Sequence, residues 1–490
     1  MELGRGMAQH VLIVGKTGSG KSNLLHGLMT SLALAYSPDE IELYLVDFKK
    51  GVEWKPYANH RLPHARIIAI ESEREFGLSV LQGLDSELQH RSDLFRSANA
   101  QNLRDYYQKS QLPMPRIVLV IDEFQELFTE DDMLSAQAVR ILDRLVRQGR
   151  AFGIHLILGS QSLSGDYTLP RSTIGQIAVR IALQCSEPDT RLVLTEDNDA
   201  VRMLSRPGEA IYNAVNGLQG GNSRFQVAWL SDIEREVYLK QINELAQQRE
   251  YRRNQVIFEG NTLAEIDKNR ALHRLLAQAA PAHLGESVAA WIGEPIAIRQ
   301  SIAAVFRRQG GSNLLIIGQN GLAAQGILAS VLISCAIRLE AASDPARATF
   351  SILDLSQTDA LHSDVLKRIS DLLPHSSLLG RRRQLPIIIQ QLAEDVQRRQ
   401  ATRHTLQPSR FLFIHGLQRA HEIHQLDTTE HAESQRESPS SSLAQQLTTI
   451  YVMDQRLAYI ASSGAIPSTT QNGCSISLLC VSVPCGLSSA

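Results

Sequence analysis

Over residues 1–230, short and almost unbroken apolar runs alternate with longer stretches in which apolar residues recur every three or four positions. Val11–Val14, Ile41–Val46, Arg116–Ile121 and Ile154–Gly159 are runs of the first kind. Such runs predict strands buried on both faces, as in a parallel sheet covered by helices. Between them, Ser22–Leu34 sets Leu24, Leu25, Leu28, Met29 and Leu32 at helical spacing, and Glu75–Ala98 and Leu134–Arg150 repeat the pattern. Ile177–Gln184 and Phe225–Trp229 predict two further strands closing this domain. The alternation of strand and helix gives an α/β fold class with crossover helices.

The charged stretch Ser231–Arg253 predicts a helix, so residues 231–278 are expected to be a helical connector. A second α/β module is expected over 279–450, with strands at Asn313–Ile317, Thr349–Leu353 and Phe411–His415. Its first strand runs into Gly318-Gln319-Asn320-Gly321-Leu322-Ala323-Ala324, which looks like a copy of the turn after Val14 with lysine and hydroxyl removed. Residues 425–442 are polar and predict a mobile loop. Residues 451–490 do not continue the pattern and read as an irregular tail, consistent with a frameshift or truncation near residue 450.

Composition changes this picture little. The chain has 490 residues and a formal net charge of −2, so no overall basic field advertises a nucleic-acid partner. No apolar run of about 18 residues is evident, and the first residues do not read as a signal peptide. Cys185 and Cys335 sit in apolar patterns and read as core residues. Cys474, Cys480 and Cys485 lack metal-ligand spacing, and His421 and His424 lie three apart without the H-E-x-x-H pattern. Arg381–Arg383, Arg398 and Arg399 read as a solvated charged face in preference to a contact with phosphate backbones.

The chemistry concentrates where the first strand ends. Gly15-Lys16-Thr17-Gly18-Ser19-Gly20-Lys21-Ser22 fits G-x-x-x-x-G-K-[ST] between a buried strand and a helix. Glycines let backbone N–H groups turn inward around phosphate oxygens, and the helix directs its positive end at the same anion. Lys21 supplies charge to the β/γ-phosphates, and the Ser22 hydroxyl is placed to ligate Mg²⁺. Ile117–Ile121 then delivers Asp122 to the metal's surroundings, with Glu123 beside it to polarise water. Glu126 reads as a solvated residue. Asp47–Gly51 ends an inner strand at the ligand-gathering edge, where a structural ion pair is the equal alternative. Gln161 reads as a γ-phosphate sensor or an ordinary loop amide, and Arg144, Arg147 and Arg150 as candidates for an arginine finger, Arg150 foremost.

Ile13–Ser22, Leu45–Gly51, Val118–Phe124, Arg147–Gln161, Arg180–Gln184 and Pro207–Ala210 occur in the order found in the FtsK/SpoIIIE-type ATPases, within the wider HerA-like group of ring motors. Residues 8–230 resemble that family. The resemblance implies a RecA-like core, a homo-hexameric ring, ATP and Mg²⁺ as cofactors, and hydrolysis coupled to moving a polymer. Lys21, Ser22, Asp122 and Glu123 match the family's Walker A and Walker B positions directly, Arg150 and Gln161 less closely. Family members usually carry sequence, often membrane-linked, before the first strand, so this chain is expected to be a shortened product or a piece of a longer polypeptide. The resemblance places it in the cytoplasm at the inner face of the membrane, with a membrane-anchored or secretion partner engaged through a part not included here.

Translocation of double-stranded DNA is the leading expectation. The degenerate second module is similar to the tandem layout of the EccC motors of type VII secretion, which makes protein export the alternative. A nucleotide switch without hydrolysis is disfavoured by Lys21, Asp122 and Glu123 together.

Overall fold

The computed structural model describes residues 4, 6, 8–48, 53–164, 169–251, 255–260, 266–277, 287–293, 302–307, 313–318, 320–339, 350–356, 364–401, 409–420, 443–452 and 475–482. Lys49–Gly51, Gln319, His421, His424, Cys474, Cys485 and the polar stretch 425–442 lie outside the described residues. The chain divides into two compact units, Met1–Thr262 with Ile296–Arg299, and Leu263–Pro295 with Gln300–Ala490.

The first unit is built on a nine-stranded sheet. Its strands are β1 (Val11–Val14), β2 (Ile41–Asp47), β3 (Ala65–Ile70), β4 (Arg116–Asp122), β5 (Ile154–Ser160), β6 (Val179–Ala182), β7 (Glu209–Asn213), β8 (Asn222–Gln226) and β9 (Val256–Glu259). The order is β8-β7-β6-β1-β5-β4-β2-β3-β9, parallel from β6 to β9, with the β7–β8 hairpin antiparallel at one edge. Alternate residues of the apolar runs serve opposite faces, as a two-residue period requires. Val118 and Val120 join the core under helix Lys21–Ala35, whereas Ile117, Leu119 and Ile121 join the core under helices Arg74–Ser97 and Met133–Phe152.

Two expected boundaries are corrected. Residues 231–278 are not a free connector, because helix Asp232–Gln248 buries Leu239, Ile242 and Ala246, and β9 adds a strand beside β3. Ser231 starts that helix with a reciprocal side-chain and backbone capping box to Glu234. At the opposite edge, the strand expected over Phe225–Trp229 ends at Gln226, leaving Trp229 80% exposed.

The second unit carries a hairpin, β10 (Ser287–Gly293) and β11 (Ile302–Arg307), and a five-stranded sheet. The sheet contains β12 (Leu314–Gly318), β13 (Phe350–Asp354), β14 (Ser377–Gly380), β15 (Arg410–His415) and β16 (Ser475–Ser482), ordered β12-β16-β15-β13-β14. This repeats the order β1-β5-β4-β2-β3 of the first unit strand for strand. The tail is therefore not wholly irregular: β16 fills the slot of β5, but antiparallel to both neighbours. Helix Gly321–Arg338 is long and apolar enough to cross a membrane by length and composition, unlike the sequence reading. It nonetheless buries Leu328, Val331, Leu332 and Cys335 in this unit's core. Arg399, expected on a solvated face, is buried against Asp395 at 2.7 Å, because a buried guanidinium is retained only with a partner.

Candidate nucleotide-binding site

The loop after β1 is drawn tight by backbone bonds to both neighbouring strands. Gly15 N–H donates to Ser160 O (3.1 Å) at the end of β5, and Lys16 N–H donates to Gln184 O (2.8 Å) just past β6. A Cβ on Gly15 would sit 2.5 Å from Ser19 Oγ, so only glycine fits there. Gly20, at φ 101°, turns the chain into helix Lys21–Ala35 in a conformation that side chains resist. That helix has no side-chain N-cap and no acidic residue in its first turn, leaving amide donors and dipole directed outward. Ser19 Oγ is buried beside Gly15 with no hydrogen-bond partner among the described residues. Gly-lined amides, an orphaned hydroxyl and a lysine fit a phosphate chain. The oxygen donors of Ser22 and Asp122 fit a hard cation such as Mg²⁺, which takes few protein ligands.

Strand periodicity brings the carboxylates in. Asp122 shares the parity of Val118 and Val120, hence the face of helix Lys21–Ala35. Lys21 Nζ donates to Asp122 Oδ1 and to Glu123 Oε1 (2.8 Å), all three side chains being buried. Burial works against the lysine's charge, but the two carboxylates outweigh it and hold Lys21 above its ordinary pKa. Burial likewise pushes Asp122 above the usual carboxylate range despite Lys21, with Glu123 and Glu53 adding negative charge nearby. The same penalty is smaller at Glu123, where Lys21 and two amide partners hold the carboxyl below its ordinary value. Glu123 sits at φ 55°, ψ 48°, a left-handed conformation that costs a non-glycine residue about 1–3 kcal/mol.

The model of the FtsK/SpoIIIE family matches residues 4–165. This segment is an FtsK/SpoIIIE domain. Over 231 residues the chain is 32% identical to the ESX secretion system protein EccC of Geobacillus thermodenitrificans, covering 45% of this chain and 15% of that protein. Over 236 residues it is 30% identical to the DNA translocase FtsK of Staphylococcus epidermidis, covering 46% of this chain and 28% of that one. Both relatives are thus several times longer than the segment they share with it. The cytoplasmic domain of the type VII secretion ATPase EccC from Thermomonospora curvata shares the fold, with a TM-score of 0.53 at 23% identity over 81% of this chain and 46% of that one. The family is one of ATPases, and the matched segment lies within the first unit.

Within the FtsK/SpoIIIE domain, Gln161 stands at the site. Its backbone N–H donates to Glu123 Oε2 (3.1 Å), and its side-chain oxygen accepts from Thr17 Oγ1 (2.8 Å). Parallel pairing of β1 with β5, Val14 opposite Ser160, puts Gln161 there. Asp47 is fully buried in register with Asp122. Arg150 is not brought to this site. It precedes β5 whereas Gln161 follows it, so Arg150 stands at the opposite end of this central strand, about 20 Å of strand away. Arg144 and Arg147 are engaged by Asp85 (3.1 Å) and Asp143 (2.8 Å), while the exposed Arg150 has no side-chain partner among the described residues.

Three functional neighbours escaped the sequence reading. Gln125 Nε2 donates to Glu123 Oε2 (2.7 Å), Ser22 Oγ donates to Glu53 Oε1 (2.9 Å), and His26 Nε2 bonds the other Glu53 oxygen (3.0 Å). Only a carboxylate six residues beyond β2 hinted at Glu53. Gly159 also matters, because a Cβ there would lie 2.6 Å from Asp122 Oδ1. Gly159→Ala is expected to displace Asp122 and lower stability by about 1–3 kcal/mol, with a parallel loss of Mg²⁺-dependent nucleotide binding. Denaturant unfolding and calorimetry measure the two effects.

The second unit keeps the frame and loses the donors. In register β13–β15, Asp354 faces His415 as Asp47 faces Asp122. His415 shares the parity of Phe411 and Phe413, the face of helix Gly321–Arg338. Gly416 follows at φ 78°, ψ 36°, the conformation of Glu123, and each is followed by a short 3₁₀ turn. Glycine adopts this backbone freely, so the strained glutamate occurs only in the unit with a lysine to pair it. At the helix start, Asn320 Oδ1 accepts from Ala323 N–H (3.1 Å), occupying a donor that a phosphate would need.

Proposed function

We propose that the first unit binds ATP with Mg²⁺ at Gly15–Ser22 and hydrolyses it, and that the chain works as part of a ring motor moving a polymer. The buried triad Lys21–Asp122–Glu123 beneath an uncapped glycine-rich loop carries this reading. Within Gly15–Ser22, the Gly15 and Lys16 N–H groups tie the loop to Ser160 O and Gln184 O. Thr17, Gly18 and Gly20 present backbone amides to the phosphates, and Lys21 exchanges its carboxylates for phosphate oxygens. Ser22 and Asp122 would hold the metal, which supplies positive charge where negative charge develops on the transferred phosphoryl group. Glu123, released from Lys21, takes the proton of the attacking water, oriented by Gln125 and the Gln161 amide. Gln161 reports the γ-phosphate through Thr17. Arg150, without a side-chain partner among the described residues and at the far end of β5, serves the site of a neighbouring copy in a homo-hexamer.

For the polymer, the repeated strand order of the second unit, with its donors replaced, supports a secretion motor acting on protein at the cytoplasmic face of the membrane. The comparable identity to FtsK keeps double-stranded DNA as the second reading. ATP turnover with and without duplex DNA across a salt series separates them. A DNA translocase is stimulated, and its apparent DNA affinity falls about 10³–10⁵-fold from low to moderate salt if six to ten phosphates are contacted. The export reading expects turnover indifferent to DNA and raised by an exported polypeptide.

A further inference from the structure

We propose that Glu53 is a positioning residue for the metal, acting through the Ser22 hydroxyl, and that His26 and Tyr57 form a rigid mount for it. This rests on the ATP–Mg²⁺ reading of the site and extends it to residues outside the phosphate-binding loop.

The direction of the hydrogen bonds is decisive. An ionised carboxylate only accepts, so Ser22 spends its single O–H on Glu53 Oε1 at 2.9 Å. Both oxygen lone pairs of Ser22 are thereby left for a cation. The second carboxylate oxygen, Oε2, lies 3.0 Å from His26 Nε2. The same rule makes that nitrogen the donor, while Nδ1 lies 3.1 Å from Tyr57 Oη, whose hydroxyl also reaches His26 O at 3.4 Å. Tyr57 and Trp54 are fully buried, the Tyr57 ring stacking on His26 at 5.7 Å and Trp54 meeting it edge-on at 5.8 Å. The chain Tyr57–His26–Glu53–Ser22 therefore orients one hydroxyl with little freedom to rotate.

Glu53 also adds negative charge near Asp122, while the hydrogen bonds of Lys21 go to Asp122 and Glu123. Carboxylates that brace a metal ligand from behind raise its donor strength, and their loss typically costs about 10–100-fold in metal affinity. The cleft beside Ser22, about 590 Å³ and lined by His26, Glu53, Lys55, His60 and Asp232 among others, gives solvent access to this chain.

The test is the affinity of a fluorescent ADP analogue for the full chain, measured in excess Mg²⁺ and again in EDTA. In the unsubstituted protein Mg²⁺ should tighten binding; Glu53→Gln should cut that gain about tenfold or more and leave the EDTA affinity unchanged. Asp232→Asn, in the same cleft but bonded to neither Ser22 nor Glu53, should retain the full gain. His26→Gln should move the gain in the same direction as Glu53→Gln. A Glu53→Gln protein with an unaltered Mg²⁺ gain overturns the proposal, as does one weakened equally in Mg²⁺ and EDTA, which would mark a merely structural role. Absence of any nucleotide binding by the unsubstituted protein overturns the ATP reading itself, a result distinct from both.

Discussion

Glu123→Gln should lower kcat for ATP about 10²–10⁴-fold, the usual contribution of a positioned general base. The substitution keeps side-chain length and the left-handed backbone, and one amide oxygen still accepts from Gln125 or the Gln161 N–H. What disappears is the capacity to take a proton from water. ATP affinity should stay within about threefold, because the lost interaction belongs to the transition state and not to ground-state binding. Single-turnover hydrolysis together with equilibrium nucleotide binding measures both halves. Unchanged kcat would remove Glu123 from its proposed role, and the strain at its backbone would then need another explanation.

Lys21→Met should have two large effects of different origin. Charged hydrogen bonds contribute about 1.5–3 kcal/mol each, so nucleotide affinity should fall about ten- to a hundredfold. The protein should also lose stability without any nucleotide, since Asp122 and Glu123 would be left buried with no cation. Removing one partner of a buried pair costs about 3–5 kcal/mol. The sign with pH follows from the carboxyls. Without Lys21, both carboxyl pKa values in the folded state rise above their unfolded values. Folding then binds protons, and the deficit is largest at neutral pH and shrinks as the solution is acidified. Thermal unfolding of both proteins from about pH 8 to about pH 5 should show the variant converging on the unsubstituted chain. A constant gap would mean the carboxylates are not left uncompensated.

Much of the site could be read from the chain because its parts are local or periodic. Gly15–Ser22 is contiguous, and the parity of Val118, Val120 and Asp122 along one strand is set by the pleat. The helix Met133–Phe152 that carries Arg150 was also legible, but not which end of the strands that arginine occupies. Arg150 has the same residue type and spacing whichever end of the strands it occupies, and only the direction of β5 assigns it to the far one. Arg399 looked solvated because its partner Asp395, one turn back on the same helix, is enclosed only by tertiary packing, where Arg410 of β15 reaches the same carboxylate. The reversed β16 could not be foreseen, since a short run in which serines interrupt apolar residues carries no direction.

Sequence by itself determined the strand-and-helix rhythm, the phosphate-binding loop and the lysine and carboxylates that belong with it, since each depends on neighbours within a few residues. Tertiary structure alone decided which strand ends meet. It set Gln161 against Glu123, placed Glu53 behind Ser22, and gave the second unit the first unit's strand order with β16 reversed. The physical reason is that strand adjacency in a parallel sheet comes from crossovers of many residues. Such pairings are fixed by burial on both faces and leave no mark at the positions they join.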